Sequence, residues 1–458
     1  MSEISHPLTV ILVTAIEDRS ARGIAAAVGR LIGAGDIGPG TRLPTVRELA
    51  AALGTSPARV DAAWQALAAK GLIETQGRRG SFAKGPPNQA VPSRWWSLTG
   101  PANHFKLDLS TGAPDESLLP HLEAVVSRSA ERLSLSGYQG PSVVPDLELA
   151  LRARWRAQSN PERITIVNGA LDAIDRLLAV TVRFGDRVMV EEPGYPPIFD
   201  LIDAHGAEAV PVCLDSAGIV PAALRMAVKT KPSALILQPR AQNPTGIAMT
   251  ATRARELAKI LLPASSIVIV EDDHSADITA RRAVTLARHL PEQTVRVMSF
   301  SKSHGPDLRL AAVGGPARIL DGLIARRALG PGWSSRLVQK LLSLMLTDPL
   351  TAAEVRHARS IYAERRKRLV AELDRLGITT TGTDGINLWI SVMREREAVH
   401  ALASQGISVA PGTPFFLQPS PPAFIRLTCG AVADGYAELA VAIAGSARPA
   451  APSRSSAL

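Results

Sequence analysis

Cysteine is nearly missing from this sequence: only Cys213 and Cys429 occur. Two thiols cannot build a disulfide framework, and their spacing matches no metal-ligand motif. A reducing, cytoplasmic setting is therefore expected, with no metal. No uninterrupted apolar run approaches the ~20 residues that span a bilayer, so no membrane role is expected. The short apolar run Leu8 to Ile16 has no basic segment before it, which argues against a secretory signal. Internal repeats are absent as well. What is present is ordinary for a soluble globular protein: 46% hydrophobic and 20% charged residues over 458 positions. That length predicts two or three domains. The net charge of +9 favours polyanionic partners without specifying one.

Composition divides the chain into zones. Residues 1–84 form the first. Residues 85–106 hold Pro86, Pro87, Pro92 and Pro101 with Trp95 and Trp96 and read as a semi-rigid linker. From 107 to 445, strand-like segments alternate with helix-like ones. The last stretch, 446–458, is rich in Ala, Pro and Ser and reads as a disordered tail.

The first zone reads as three helices and a hairpin. Ile24, Val28, Leu31 and Ile32 share one helical face. Gly38-Pro39-Gly40 breaks that helix. Thr45 caps a second helix, Val46 to Leu53, and Glu48 completes a capping box. Ser56 caps a third helix with Pro57 at its first position, where a missing N–H costs little. Val60, Ala63, Trp64 and Leu67 form its inner face. Gly71-Leu72-Ile73 leads into a strand, Gln76 to Gly80 form a turn, and Ser81-Phe82-Ala83 return. A helix of this kind fits a major groove roughly 12 Å wide. Arg78 and Arg79 at the hairpin tip can reach a phosphate or a narrow minor groove. Arg42, Arg47, Ser56 and Arg59 are the other candidate DNA contacts. Ten Lys/Arg against seven Asp/Glu up to Lys84 is a weak excess, so pattern carries this reading more than charge. A small helical protein-interaction domain is the alternative. The run Gly38 to Ala50, with Leu53-Gly54, Gly71-Leu72-Ile73 and Gly77 to Gly80, resembles the GntR-type winged helix. One departure is Pro57-Ala58, where relatives often carry polar or basic residues.

Five separated motifs mark the large zone. Ser299-Phe300-Ser301-Lys302 follows the strand-like Val295 to Met298, with Arg309 seven residues on. A lysine there can form a Schiff base with an aldehyde cofactor; Ser299 and Arg309 suit a phosphate dianion. Read alone, the motif is more readily a surface lysine and arginine. Ile267 to Val270 runs as a buried strand into Glu271-Asp272-Asp273. A carboxylate there can hold a pyridine nitrogen protonated, cap a strand end or bind magnesium. Gln238-Pro239-Arg240-Ala241-Gln242-Asn243-Pro244-Thr245-Gly246 follows the strand Ala234 to Leu237 and is either a turn or a donor to a phenolic oxygen. Ile164 to Val167, then Asn168-Gly169-Ala170-Leu171 and the helical Asp172 to Val180, offer a helix N-terminus to a phosphate. Glu192-Pro193-Gly194-Tyr195-Pro196 presents an aromatic that can stack on a flat ring or simply pack.

In their order and spacing these motifs resemble the large domain of fold type I aminotransferases. With the GntR-like head, the whole chain resembles MocR-type regulators. The resemblance implies an α/β fold with a mostly parallel sheet, a small C-terminal α/β subdomain over about 333–445, a pyridoxal 5'-phosphate (PLP) cofactor and a homodimer. It implies Lys302 as the Schiff-base residue, Asp272 as the pyridine-nitrogen partner, Asn243 on the phenolic oxygen and Tyr195 as the stacking ring. Ser299, Arg309, Gly169, Ala170 and Leu171 would form the phosphate cup, Tyr138 would be lent to the partner's phosphate, and Arg426 would grip a substrate carboxylate. His274 replaces a usual tyrosine near the phenolic oxygen, where histidine can still donate a hydrogen bond; Asn168 replaces a serine or threonine. The function expected is a PLP-dependent regulator of transcription that binds double-stranded DNA and senses PLP, an amine or an amino acid through an aldimine. A working aminotransferase with an accessory DNA-binding domain is the alternative.

Overall fold

The computed structural model describes residues 7–69, 71–84, 94, 105–129 and 137–447. They divide into two compact units, an N-terminal one and a larger one built from most of the rest.

The N-terminal unit holds helices Pro7–Ala15, Ala21–Ala34, Val46–Leu53 and Pro57–Ala69, then the hairpin Ile73–Thr75 with Ser81–Ala83. Thr45 and Glu48 make the capping box: Oγ1 of Thr45 accepts from Glu48 N at 3.2 Å, and Oε2 of Glu48 accepts from Thr45 N at 2.8 Å. Gly54 closes that helix in the left-handed region at φ +63°, which a side chain would resist. Ile24, Val28, Ile32, Val60, Ala63, Trp64 and Leu67 are buried together. The first helix was not expected. Leu8 and Leu12 share its inner face and Ile16 is buried just past its end, but Val10 and Ile11 are exposed on the outside. With Val10, Ile11 and Val13 exposed opposite the apolar stripe and Thr14 the one polar residue among them, no clear helical period shows in the sequence.

The larger unit is organised by an eight-stranded sheet. In spatial order its strands are Arg163–Val167, Ala311–Gly315, Thr294–Ser299, Val268–Asp273, Ala234–Leu237, Arg187–Glu192, Glu208–Asp215 and Gly218–Ile219. The pairings Val190↔Ile236, Leu237↔Glu271 and Asp272↔Val297 are parallel, whereas Ala311–Gly315 runs antiparallel to both its neighbours. Every residue of Val268–Asp273 and of Thr294–Ser299 is buried, as expected of strands covered on both faces. Trp155 lies against this sheet because Gly314 has no side chain; a Cβ there would meet the Trp155 ring at 2.3 Å.

A second, antiparallel sheet joins Thr380–Thr381, Leu388–Ser391, Phe424–Leu427 and Ala410–Pro411. Helices Pro349–Arg375, Glu395–Ser404 and Tyr436–Ala447 share its core through Leu369, Leu402 and Ile443. Leu107–Asp108 pairs in parallel with Ile407–Ser408, so the start of the large zone is stitched into its last third. The last helix continues through Ser446 and Ala447, past the boundary drawn from composition, because Ala447 is buried in the same core. Apart from those two residues, the tail lies outside the described residues, as does the linker apart from Arg94, Phe105 and Lys106. No helix among the described residues is long and apolar enough to cross a membrane.

Trp155 is fully buried. Trp155→Ala is expected to destabilise the large unit by about 3–5 kcal/mol, the usual cost of deleting a buried aromatic. Urea unfolding followed by circular dichroism checks this; a loss below about 1 kcal/mol means that the cavity collapses without strain.

Candidate cofactor site and DNA-reading surface

Five parallel strands end at one edge of the sheet. Asn168, Pro193, Gln238, His274 and Phe300 follow those ends, and Arg309 precedes the antiparallel strand at the same edge. The motifs are far apart in sequence and come together because parallel strands put all their carboxyl ends on one side.

Gln238 sits at the centre. Its side-chain Nε2 donates to Asp272 Oδ2 at 2.8 Å, and its Oε1 accepts from Asn243 N at 2.8 Å. Its backbone N donates to Glu191 Oε2 at 3.0 Å. All four residues are buried. The other oxygen of Asp272, Oδ1, is buried with no hydrogen-bond partner among the described residues. Burial pushes the Asp272 carboxyl above its usual range, against the pull of the Gln238 amide and the nearby Lys302. Burial also pushes Glu191 up to about 8, with the Asp272 charge adding to the rise.

Lys302 reaches into the same space. Its Nζ lies 2.7 Å from His274 Nδ1. His274 Nε2 is 2.8 Å from the carbonyl oxygen of Ala241, which can only accept, so Nε2 carries the ring proton. Nδ1 then presents a lone pair to Lys302. Burial and the cations Lys302, Arg240 and Arg426 hold the His274 pKa well below its ordinary value. The ring is therefore neutral, and its outward nitrogen accepts rather than donates. In this arrangement the one N–H of the neutral ring is engaged by the Ala241 carbonyl. Burial lowers the Lys302 pKa, Asp272 opposing and Arg426 reinforcing the shift.

Arg426 is 1% exposed and has no carboxylate partner among the described residues. It donates to the Ser110 carbonyl and, at 3.3 Å, to Asn243 Oδ1, while its Nε is unpartnered. The Phe415 ring lies 5.2 Å from its guanidinium carbon. Tyr195 is half-buried, and its hydroxyl pKa is pushed up to about 12 by burial, with Arg426 opposing and Asp272 adding. Gly169 has φ +105° and precedes helix Ala170–Thr181, whose start has no side-chain cap bond, so the amides of Ala170 and Leu171 point out unclaimed by a cap. Arg309 donates to the Asn168 carbonyl at 3.4 Å, which puts its guanidinium beside that helix start. Ser299 is buried and accepts from Ser301 N at 3.3 Å. Tyr138 is apart from this group: it is 88% exposed and meets Trp333 edge-on at 6.0 Å. Sequence reading missed Gln238 as a hub and Glu191 as a buried acid. Gln238 opens the motif that ends at Gly246 and Glu191 directly precedes the one that starts at Glu192, but burial of a carboxyl has no signature in one sequence.

In the N-terminal unit, Arg42, Arg47, Ser56, Arg59 and Arg79 are all exposed. Arg59 donates to Thr55 Oγ1 at 3.4 Å, and Arg42 lies against Gly80 near the hairpin turn. The side chain of Arg78 lies outside the described residues.

The residues of the large unit fit PLP. A buried carboxylate oxygen without a partner among the described residues suits a pyridine N–H, an amine held 2.7 Å from an imidazole suits an aldehyde, and an uncapped helix start beside an arginine suits a phosphate. Fold and site thus define an aminotransferase-like, PLP-type large domain in the same chain as a winged helix. Residues 105–443 match the aminotransferase class I and II family, and residues 20–82 match the bacterial regulatory proteins of the gntR family. The vitamin B6 salvage pathway transcriptional repressor PtsJ of Salmonella typhimurium is 34% identical over 92% of this chain and 96% of its own. The probable rhizopine catabolism regulatory protein MocR of Rhizobium meliloti is 27% identical over 74% of each chain. Aspartate aminotransferase from Thermus thermophilus shares the fold with a TM-score of 0.66 at 21% identity, over 75% of this chain and 92% of its own. The chain belongs to the MocR/GntR family of transcriptional regulators with an aminotransferase-like domain.

Glu191 gives a pH test. Its pKa is 4.5 ordinarily and about 8 when buried here, so between those values the folded chain holds more protons than the unfolded one. Its contribution is complete below about pH 4.5 and declines as pH rises toward 8. Glu191→Gln should lose that decline: the difference in melting temperature between variant and wild type is expected to grow in the variant's favour from pH 5 to 8. A constant difference across that range would mean that Glu191 titrates normally.

Proposed function

We propose that this protein binds a DNA operator as a homodimer and that PLP, or a small amine or amino acid meeting it, sets the strength of that binding. The observation that carries this is the unpartnered, buried Oδ1 of Asp272 beside the amine of Lys302, in a chain that also holds a winged helix. Asp272 would hold the pyridine nitrogen, Asn243 the phenolic oxygen, Tyr195 the ring face, and Ser299, Arg309 and the Gly169–Leu171 backbone the phosphate. Tyr138, being exposed, is available to the phosphate of a partner subunit. When bound, PLP supplies an aldehyde carbon that bonds reversibly to amines and a ring that withdraws electrons.

The protein's own residues supply orientation and selection. His274 holds the Lys302 amine by accepting its N–H, and the Ala241 carbonyl fixes the tautomer that allows this. Arg426 rests on neutral oxygens of Ser110 and Asn243, so a ligand carboxylate would offer it a stronger, charge-assisted partner. That favours amino acids over simple amines. A ligand changes DNA affinity only by binding two dimer conformations unequally. The likeness to a repressor of vitamin B6 salvage makes PLP the first effector to test and repression the expected sign.

Operator binding measured by fluorescence anisotropy should change at least about fivefold on adding PLP, the low end of typical allosteric coupling. Lys302→Ala should abolish both this change and the visible absorbance band of the bound cofactor. Identical affinities with and without PLP, in a protein that does show the band, would sink the sensor role. For the DNA contacts, Arg47→Ala is expected to lower the slope of log affinity against log salt by about 1; an unchanged slope removes Arg47 from the interface. The second reading, a working transaminase, draws on the lowered Lys302 pKa and the retained Arg426. Sustained turnover of about 1 per second or faster would favour it.

A further inference from the structure

Two adjoining cavities in the large unit, of about 290 and 440 Å³, contain none of the residues assigned to PLP. Arg282, Ala283 and Gln158 line both. Arg154, Arg240, Arg281, Arg282, Arg296 and Arg359 line the smaller one. Arg255 and Arg288 join them in the larger. Against these arginines stands one lining carboxylate, Asp277.

Part of this charge is neutralised. Arg154 pairs with Asp277 at 2.6 Å, and Arg240 forks onto both oxygens of Asp273 at 2.8 and 2.7 Å. Arg296 donates to Ser159 and Gln158 and lies 3.8 Å from Glu271. The remaining five, Arg255, Arg281, Arg282, Arg288 and Arg359, have no carboxylate within ion-pair distance among the described residues. Arg359 uses only its Nε, on the Asp277 carbonyl, and Arg282 makes no hydrogen bond among the described residues. Like charges gathered around a cavity repel unless a counter-ion joins them. Planar guanidinium forks match phosphate and carboxylate oxygens.

We propose that these cavities form a second ligand site, for a small molecule bearing two oxyanion groups. Arg282 stands where the cavities meet and serves both groups. Arg240 and Arg296 form the floor of the site, with only 11% and 7% of their side chains exposed, and the unpaired Arg255, Arg281, Arg282 and Arg288 are exposed at its rim. The site also has a route to the cofactor edge. Asp273, held by Arg240, is the chain neighbour of Asp272, and alternation along the strand turns the two to opposite faces. An anion that draws Arg240 away from Asp273 acts on the strand that positions Asp272.

Calorimetric titration of the full-length protein with pyrophosphate, and separately with succinate, tests this. One saturable site per chain is expected for at least one of them, the tighter arm identifying phosphate or carboxylate as the preferred group. Arg282→Glu, at an exposed position, should weaken that binding about tenfold or more, as expected when an arginine fork is replaced by a like charge. Arg309→Ala should leave it unchanged, which separates this site from the phosphate cup. The proposal fails if neither anion binds saturably, if Arg309→Ala abolishes binding that Arg282→Glu leaves intact, or if Arg282→Glu alters operator affinity alone. The visible band of bound PLP, read in the same samples, reports on the cofactor reading independently.

Discussion

A carboxyl group buried at the end of a parallel strand is costly unless its oxygens are bonded, and the site depends on how Asp272 meets that cost. One oxygen is held by the Gln238 amide and the other is open. An amide donates at one end and accepts at the other, so Gln238 cannot turn over without breaking its bonds to Asp272 and Asn243 together. Its backbone adds Glu191 to the same lock. The ends of three neighbouring strands are thereby fixed relative to one another, before any ligand arrives.

The site is built with open valences. Asp272 Oδ1 and Arg426 Nε are buried and unpartnered among the described residues, and Lys302 is an amine whose charge burial opposes. Such atoms are unfavourable in the free protein, and a group that satisfies them binds the folded state selectively. This is the behaviour a sensor needs, since a ligand can redistribute conformations only through interactions that differ between them. His274 fits the same pattern. With Nε2 engaged by Ala241, His274 can only accept toward Lys302, which holds the amine in place.

The DNA-reading unit owes its order to different forces. Its helices are short, and short helices depend on caps and tertiary packing. The Thr45–Glu48 box satisfies two amides at once, and the side chains around Leu12, Ile24, Val60 and Leu67 form a closed core. Arg42, Arg47, Arg59 and Arg79 are left exposed on the outside.

Much of this was legible in one dimension. The capping box, the Gly54 stop, the Val60–Leu67 face and the strands Ala234–Leu237 and Val268–Asp273 follow from local period and turn chemistry, which neighbouring residues set by themselves. The five motifs at the sheet edge were visible for the same reason: each is a short strand running into a loop with its own chemistry. The Pro7–Ala15 helix was hidden because its outer face is apolar too. The tie between Leu107–Asp108 and Ile407–Ser408, the hub at Gln238, the contacts of His274 with Ala241 and Lys302 and the arginine-lined cavities were decided only by tertiary structure. Each joins residues from segments distant in sequence, and burial, which sets which oxygen stays open and which nitrogen holds the proton, exists only once those segments pack.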